Sequence, residues 1–274
     1  MTSRSADLKL GIAGLGAIGL AVAKRVDAGQ VPGISLAAVA VRDEEKARKA
    51  LAGYRSAPRL TSLAGLAELA DVVLECLPSA RFAAVAEPAV RNGRIFMPLS
   101  VGALLDHMQF IDLARETGAK IVVPTGALLG LDAVRAAAEG KITSATIVTR
   151  KPPKGLAGAP LLVERGILVD DIKEPLRVFE GTAREAIAGF PANVNVAVAL
   201  SLAGIGPDQT RIEIWADPGV TRNTHTVIVK SDSSDLTMTI ENIPSEENPR
   251  TGKITALSTM AALRRLTAPL VIGS

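Results

Sequence analysis

The chain has 274 residues, with 31 Lys and Arg against 28 Asp and Glu, a net charge of +3, and only five Phe, one Trp and one Tyr. Basic residues gather in no block and few rings are available for base stacking, which argues against a nucleic-acid partner and suits a small acidic substrate held by one or two cations. Charges interrupt every apolar run before the roughly 20 residues of a membrane helix. "MTSRSADLKL" lacks the layout of a secretory signal, and the single Cys76 excludes an internal disulfide framework, so a reducing, cytoplasmic setting is expected.

From Leu8 to Ala13 the sequence predicts a short apolar strand, followed by Gly14-Leu15-Gly16-Ala17-Ile18-Gly19, a helix to about Ala28, and a second strand at "SLAAVAV". G-x-G-x-x-G alone is a weak signal; strand before and helix after make it a dinucleotide-binding turn. Gly14 permits the tight turn, Gly16 lets backbone approach a pyrophosphate, and Gly19 lets helix and strand pack closely. The helix N-terminus, with Ala17 and Ile18, offers N–H groups to the phosphates. The bland alternative is a strand–helix turn without a ligand. After the second strand, Asp43 suits the ribose hydroxyls of NAD or an N-cap of "EEKARKAL", whereas Arg42 suits the 2′-phosphate of NADP or the adenine. Both cofactors stay open.

"DVVLECL", "RIFMPLS" and "KIVVP" then read as strands, separated by the helical "ARFAAVAEPAV" and by "ALLDHMQFIDLARETG", a helix closed by Gly118. Apolar strands alternating with helices predict a doubly wound parallel sheet, with the ligand beyond the strands' carboxyl ends, near the loops after Leu77, Leu99 and Val123. His107 reads as a helix residue without a chemical role.

The second half changes character. "KITSATIVTR" predicts a strand, "KPPKGLAGAP" a loop, Thr182-Ala183-Arg184-Glu185 a capping box, and "ANVNVAVALSLAG" an apolar helix. "TRIEIWAD", "NTHTVIVKSD" and "DLTMTIENI" read as an antiparallel meander, and "ITALSTMAALRRLTAPL" as an amphipathic helix. The expected organisation is a Rossmann domain over 1–125 and an α+β catalytic and dimerisation domain with a mixed, largely antiparallel sheet over 126–249. A cleft is expected between them, and a C-terminal helix, about 250–274, packing back on the first.

With "GALLGLDAV" from Gly126, "FPANVNVA" from Phe190, "ADPGVTRNTH" from Ala216 and "ENIPSEENPRT" from Glu241, most of the chain resembles the L-aspartate dehydrogenases. The resemblance implies a Rossmann domain followed by an α/β domain whose sheet supports a homodimer. It implies oxidative deamination of L-aspartate with NAD or NADP to iminoaspartate, then oxaloacetate and ammonia, and a supply of iminoaspartate for NAD synthesis. By the same resemblance His225 is the catalytic histidine, and Ala127 and Asn195 are cofactor contacts. Arg42 departs from relatives with an acid at that place and leaves cofactor preference open.

Read by itself, His225 shares a strand face with Val227 and Val229, just after a turn. A lone histidine on such a face is ordinarily structural; the dinucleotide domain upstream and the resemblance turn the reading to catalysis. An imidazole of ordinary pKa, about 6.5, exchanges protons near neutrality, which suits activation of water at the imine carbon. Lys151, Lys154 and Arg222 are candidates for the substrate carboxylates, although each by itself reads first as a solvated surface charge. The Thr125-Gly126-Ala127 turn offers N–H donors to a carboxylate, and Asn195 either holds the nicotinamide carboxamide or bonds a neighbouring loop. One cysteine and two distant histidines predict no metal site. Alternatives are a two-domain reductase of a dihydrodipicolinate-like or homoserine-like substrate, a non-catalytic dinucleotide sensor, and a scaffold whose glycines only turn the chain.

Overall fold

The computed structural model describes residues 7–191, 194–245 and 252–273. Ala192 and Asn193 of "FPANVNVA", residues 246–251 of "ENIPSEENPRT", and residues 1–6 of the stretch weighed as a signal lie outside the described residues. Two compact units form, one from Met1–Pro124 with Ala256–Val271, the other from Thr125–Thr255 with Ile272–Ser274.

The first unit holds strands β1 (Leu8–Ala13), β2 (Ile34–Ala40), β3 (Arg59–Leu60), β4 (Val72–Glu75), β5 (Ile95–Pro98) and β6 (Lys120–Ile121). They pair in the order β3-β2-β1-β4-β5-β6, every pair parallel. This is the Rossmann order, which reverses direction at β1 and β4. Leu10, Ile12, Val72, Leu74 and Met97 are fully buried, as central parallel strands require. The "KIVVP" run contributes only two paired residues, Lys120 and Ile121. It is an edge strand, and Pro124 close behind has no N–H to extend the ladder. The helix expected from Ala103 is broken into Val101–Leu104, a 3-10 turn at Leu105–His107, and Gln109–Thr117, which ends on Gly118 at φ 73°. At the break the His107 ring stacks with Phe82 and Phe110, centroids 5.6 and 5.5 Å away.

The helix Lys253–Arg265 closes this unit's core: Met260 and Leu263 join the cluster of Leu10, Ile12, Val22, Val26 and Val39. Burying two such side chains contributes about 1.5–3 kcal/mol each. Arg264 donates to the Gln30 carbonyl at 2.6 Å and Thr267 to that of Pro32 at 2.7 Å, which fixes the end of the helix beside the start of β2.

The second unit contains β7 (Ile142–Lys151), β8 (Leu176–Thr182), β9 (Arg211–Ala216), β10 (Asn223–Ser231) and β11 (Asp235–Asn242). The sheet is mixed, ordered β11-β10-β7-β9-β8, with only β7 and β9 parallel. The meander expected from β9, β10 and β11 is therefore corrected. β10 and β11 form a hairpin, but β7 lies between β10 and β9. β7 has ten residues and buries Ala145, Ile147, Thr149 and Lys151 on one face, a pattern satisfied best at the centre of a sheet. The helix Leu131–Ala138 contacts β10, and Ala183–Gly189 contacts β8 and β9. The apolar helix Asn195–Ala203 packs on both of these helices. Thr182 caps Ala183–Gly189 through the reciprocal capping box that its sequence predicts.

Candidate active site

In the first unit, β1 runs into Gly14, whose φ of +96° places it where only glycine sits without strain. Its N–H bonds the Ala40 carbonyl at 2.8 Å and ties the end of β1 to the end of β2. A β-carbon there would lie 2.7 Å from Leu77 Cδ2, and one on Gly19 would run into the Gly14 carbonyl oxygen. Around Gly16 a β-carbon would meet nothing within 4 Å. Gly16 is exposed, takes the N-cap position of the helix Ala17–Asp27 and provides no side-chain cap. Two tight glycines fold the turn and an open one fronts a helix N-terminus, an arrangement that fits a dinucleotide pyrophosphate. Arg42 and Asp43 follow β2 and are exposed; Asp43 accepts from the Lys46 N–H at 2.9 Å and caps the next helix.

Glu75, at the carboxyl end of β4, is a residue that motif reading passed over. It is fully buried and accepts from the N–H groups of Leu77 at 2.7 Å and Ser100 at 3.0 Å, and from the Ser100 hydroxyl at 3.2 Å. The carboxylate thus pins the loops after β4 and β5, on the side of the sheet where a ligand lies. Burial raises its pKa above the usual carboxylate value, against the lowering by these hydrogen bonds.

In the second unit, the sheet face under the helices is apolar along most of its length and polar at one end. Val227 opposes Met238 and Ile147; one step on, His225 opposes Ile240 and Thr149; beyond them Asn223 opposes Asn242, and Lys151 ends β7. His225 is 3% exposed, Lys151 6% and Thr149 wholly buried. Thr149 Oγ1 lies 3.0 Å from His225 Nδ1 and orients the ring. Burial, and then the nearby Lys151 charge, push the His225 pKa down to about 3. Burial lowers that of Lys151 to about 8. Lys151 is therefore no solvated surface charge, whereas Lys154 and Arg222 are exposed.

Before the histidine strand, Asp217 accepts from Arg150 at 2.9 Å and from the Gly219 N–H at 2.8 Å, which shapes the "ADPG" turn. Arg150 lies on the opposite sheet face from Lys151, 4.8 Å over the Trp215 ring. Ala127 follows Gly126, itself at φ +64°, and its carbonyl accepts from Asn242 Nδ2 at 3.0 Å. Asn242 is 3% exposed. Asn195 is half-buried and begins its helix. Thr149 has no sequence signature and Asn242 lies in "ENIPSEENPRT" without a role read from it; strand register brings both to the histidine row.

The low His225 pKa has a consequence for stability. The unfolded chain takes up a proton near pH 6.5 and the folded chain only near about 3, so between these values unfolding is favoured as pH falls. The slope is at most about 1.4 kcal/mol per pH unit. Lys151, at about 8, is charged in both states across this window and adds no slope. Urea unfolding midpoints are expected to fall between pH 6 and 4, and less steeply for His225→Asn; parallel curves would show that another group governs acid stability.

Comparison with known proteins extends these observations. Residues 132–266 match the family model for the aspartate dehydrogenase C-terminal domain, and residues 14–124 match that for the homoserine dehydrogenase NAD-binding domain. An L-aspartate dehydrogenase of Bradyrhizobium diazoefficiens is 54% identical over 98% of this chain and 95% of its own length. L-aspartate dehydrogenase 3 of Bordetella bronchiseptica is 53% identical over the whole of both chains. The crystal structure of aspartate dehydrogenase from Thermotoga maritima has the same fold, with a TM-score of 0.73 over 97% of this chain and 99% of that one at 24% identity.

Proposed function

The chain belongs to the L-aspartate dehydrogenase family of NAD(P)-dependent oxidoreductases, and on that footing we propose that it catalyses the oxidative deamination of L-aspartate and its reverse. The observation that carries this reading is the match to named L-aspartate dehydrogenases along nearly the full chain. The α-carbon loses a hydride and the amine a proton, leaving iminoaspartate; water then adds to the imine carbon, and oxaloacetate and ammonia separate. NAD(P) bound at the glycine turn supplies the hydride acceptor. The imino product, if it leaves before hydrolysis, feeds pyridine-nucleotide synthesis.

The residues of the chain provide orientation and proton transfer. We assign Gly14, Gly16, Ala17, Ile18 and Gly19 to the pyrophosphate, Arg42 and Asp43 to the adenosine end, and Ala127 and Asn195 to the nicotinamide end. His225 is the base for water: in the tautomer whose Nδ1–H donates a hydrogen bond to Thr149 Oγ1, Nε2 presents a lone pair to the attacking molecule. Burial by itself makes this ring a poor proton acceptor. Two substrate carboxylates favour the imidazolium and raise its proton affinity on arrival. The reading includes a homodimer formed through the second sheet, on whose outer face Val148, Trp215 and Ile228 are half-buried.

The test mixes the purified full chain with oxaloacetate, ammonium and NADH or NADPH and follows the absorbance loss. In the oxidative direction, L-aspartate is expected to turn over faster than homoserine, alanine or glutamate, and sedimentation is expected to give a dimer. Faster turnover of homoserine would move the reading to another two-domain reductase, and cofactor binding without any turnover would leave a sensor. A monomeric sedimentation value would remove the dimer alone.

A further inference from the structure

β4 is buried along its whole length, and its first three residues, Val72, Val73 and Leu74, are apolar. The fourth, Glu75, is as deep and carries a carboxyl group, which is costly to desolvate unless its oxygens are hydrogen-bonded. For packing alone a fourth apolar residue would serve better. What a carboxylate adds is acceptors, and both of its oxygens are used. Oε1 accepts from the Leu77 N–H at 2.7 Å, and Oε2 from the N–H groups of Ser100 at 3.0 Å and Leu99 at 3.3 Å. Ser100 Oγ lies 3.2 Å from Oε1 and 2.7 Å from the Leu77 carbonyl oxygen, and so bridges the loops after β4 and β5. Among the described residues no cation joins this set: burial and these hydrogen bonds are what act on the group.

The position of the carboxylate ties it to the glycine turn. Glu75 pairs with Ala13 of β1 and with Pro98 of β5, in the last paired row of the three central strands. The Cys76 N–H then bonds the Ala13 carbonyl at 2.9 Å. Gly14 turns directly against the residues that follow Glu75, for a β-carbon on it would lie 2.7 Å from Leu77 Cδ2 and 2.9 Å from the Cys76 carbonyl oxygen. Through the Leu77 N–H, Glu75 thus holds the segment on which the dinucleotide turn is folded. A doubly wound sheet takes one mononucleotide on each of its halves. With Arg42 and Asp43 after β2 assigned to the adenosine end, the loops after β4 and β5 are left for the other mononucleotide.

We propose that Glu75 is a positioning residue of the cofactor site, fixing Leu77 and Leu99–Ser100 as a preformed support for the nicotinamide mononucleotide half of NAD(P). The proposal rests on the dinucleotide assignment of the glycine turn and not on the identity of the substrate. Glu75 acts through main-chain groups and touches no ligand itself. With the carboxylate in place, the two loops need no reordering when the cofactor arrives. Without it the N–H groups of Leu77 and Ser100 lose their acceptor, and part of the binding energy is spent on ordering the loops again.

The experiment uses the full chain as wild type, Glu75→Gln and Ser100→Ala, each titrated calorimetrically well below its melting temperature. Glu75→Gln keeps the length of the side chain but turns an NH2 group toward N–H donors. Ser100→Ala leaves the carboxylate and removes the hydroxyl bridge. Two ligands are compared: the reduced dinucleotide that wild type binds more tightly, NADH or NADPH, and AMP, which carries the adenosine end alone. Glu75→Gln is expected to weaken the dinucleotide roughly tenfold or more, the size of one lost charge-assisted hydrogen bond, and to change AMP affinity by less than about twofold. Ser100→Ala should show a smaller loss with the same split between the two ligands. Dinucleotide affinity unchanged in a folded Glu75→Gln overturns the proposal. Equal losses for dinucleotide and AMP overturn it as well, since they return Glu75 to a purely structural role. If Glu75→Gln fails to fold, Ser100→Ala decides by the same two affinities. A wild type that binds neither NADH nor NADPH removes the dinucleotide assignment and this proposal with it. A wild type that binds them without turning over L-aspartate sinks the dehydrogenase reading alone, and the affinities still decide the role of Glu75.

Discussion

Replacing His225 by alanine is expected to lower kcat for L-aspartate oxidation by roughly 10²–10⁴-fold, the usual loss when a general acid–base group is removed. The imidazole is fixed before any substrate arrives, on a strand paired on both sides and with Nδ1 3.0 Å from the Thr149 hydroxyl. Its loss should therefore appear in kcat and leave cofactor affinity alone. The alanine protein should also lose less stability on acidification, since the group that resists protonation is gone. Thr149→Val is the graded companion: it keeps the ring and removes the hydroxyl that orients it, and it should fall between wild type and His225→Ala. Rapid-mix kinetics under saturating L-aspartate and NAD(P) provide the check. Turnover by His225→Ala within a few-fold of wild type would return the residue to the structural role that a lone buried histidine ordinarily has.

The second large effect separates folding from binding within a single turn. Gly19→Ala sets a methyl against the Gly14 carbonyl oxygen, a backbone atom that cannot swing aside. Overpacking of this kind costs about 1–3 kcal/mol, and backbone obstacles lie at the upper end. The expected result is a protein of lower melting temperature that binds NADH poorly. Gly16→Ala meets nothing within 4 Å, so the fold should keep its stability. The same methyl stands where backbone must approach the pyrophosphate, and NADH affinity should weaken by about tenfold or more, or 1.4 kcal/mol per decade. Calorimetric melting and NADH titration of the two proteins side by side give the answer. A Gly16→Ala protein with undiminished affinity would place the phosphates elsewhere.

What could be read in advance follows the range of each interaction along the chain. The glycine turn, its flanking strand and helix, the Asp43 N-cap and the Thr182 capping box are set by residues within a few positions of one another, so their patterns are visible in sequence. The order of the second sheet is set otherwise. β7 joins β9 and β10 across many intervening residues, and nothing in "KITSATIVTR" says which later strands it divides. The Thr149–His225 contact spans 76 positions and has the same origin. Lys151 shows the difficulty most plainly: beside Arg150 and the prolines of "RKPPKG" it reads as one more surface charge, and only the alternation of a central strand turns it inward. Glu75 lies in a local apolar run, yet its partners Leu99 and Ser100 come from the next strand's end.

The packing of Met260 and Leu263 into the first unit has a consequence for how the protein is made. Emerging from the ribosome, the nucleotide-binding lobe waits for the helix Lys253–Arg265 until strands β7 to β11 of the other lobe have been translated. Its nascent sheet must spend that interval with an apolar flank uncovered, so the usual N-to-C sequence of domain completion cannot hold for this chain.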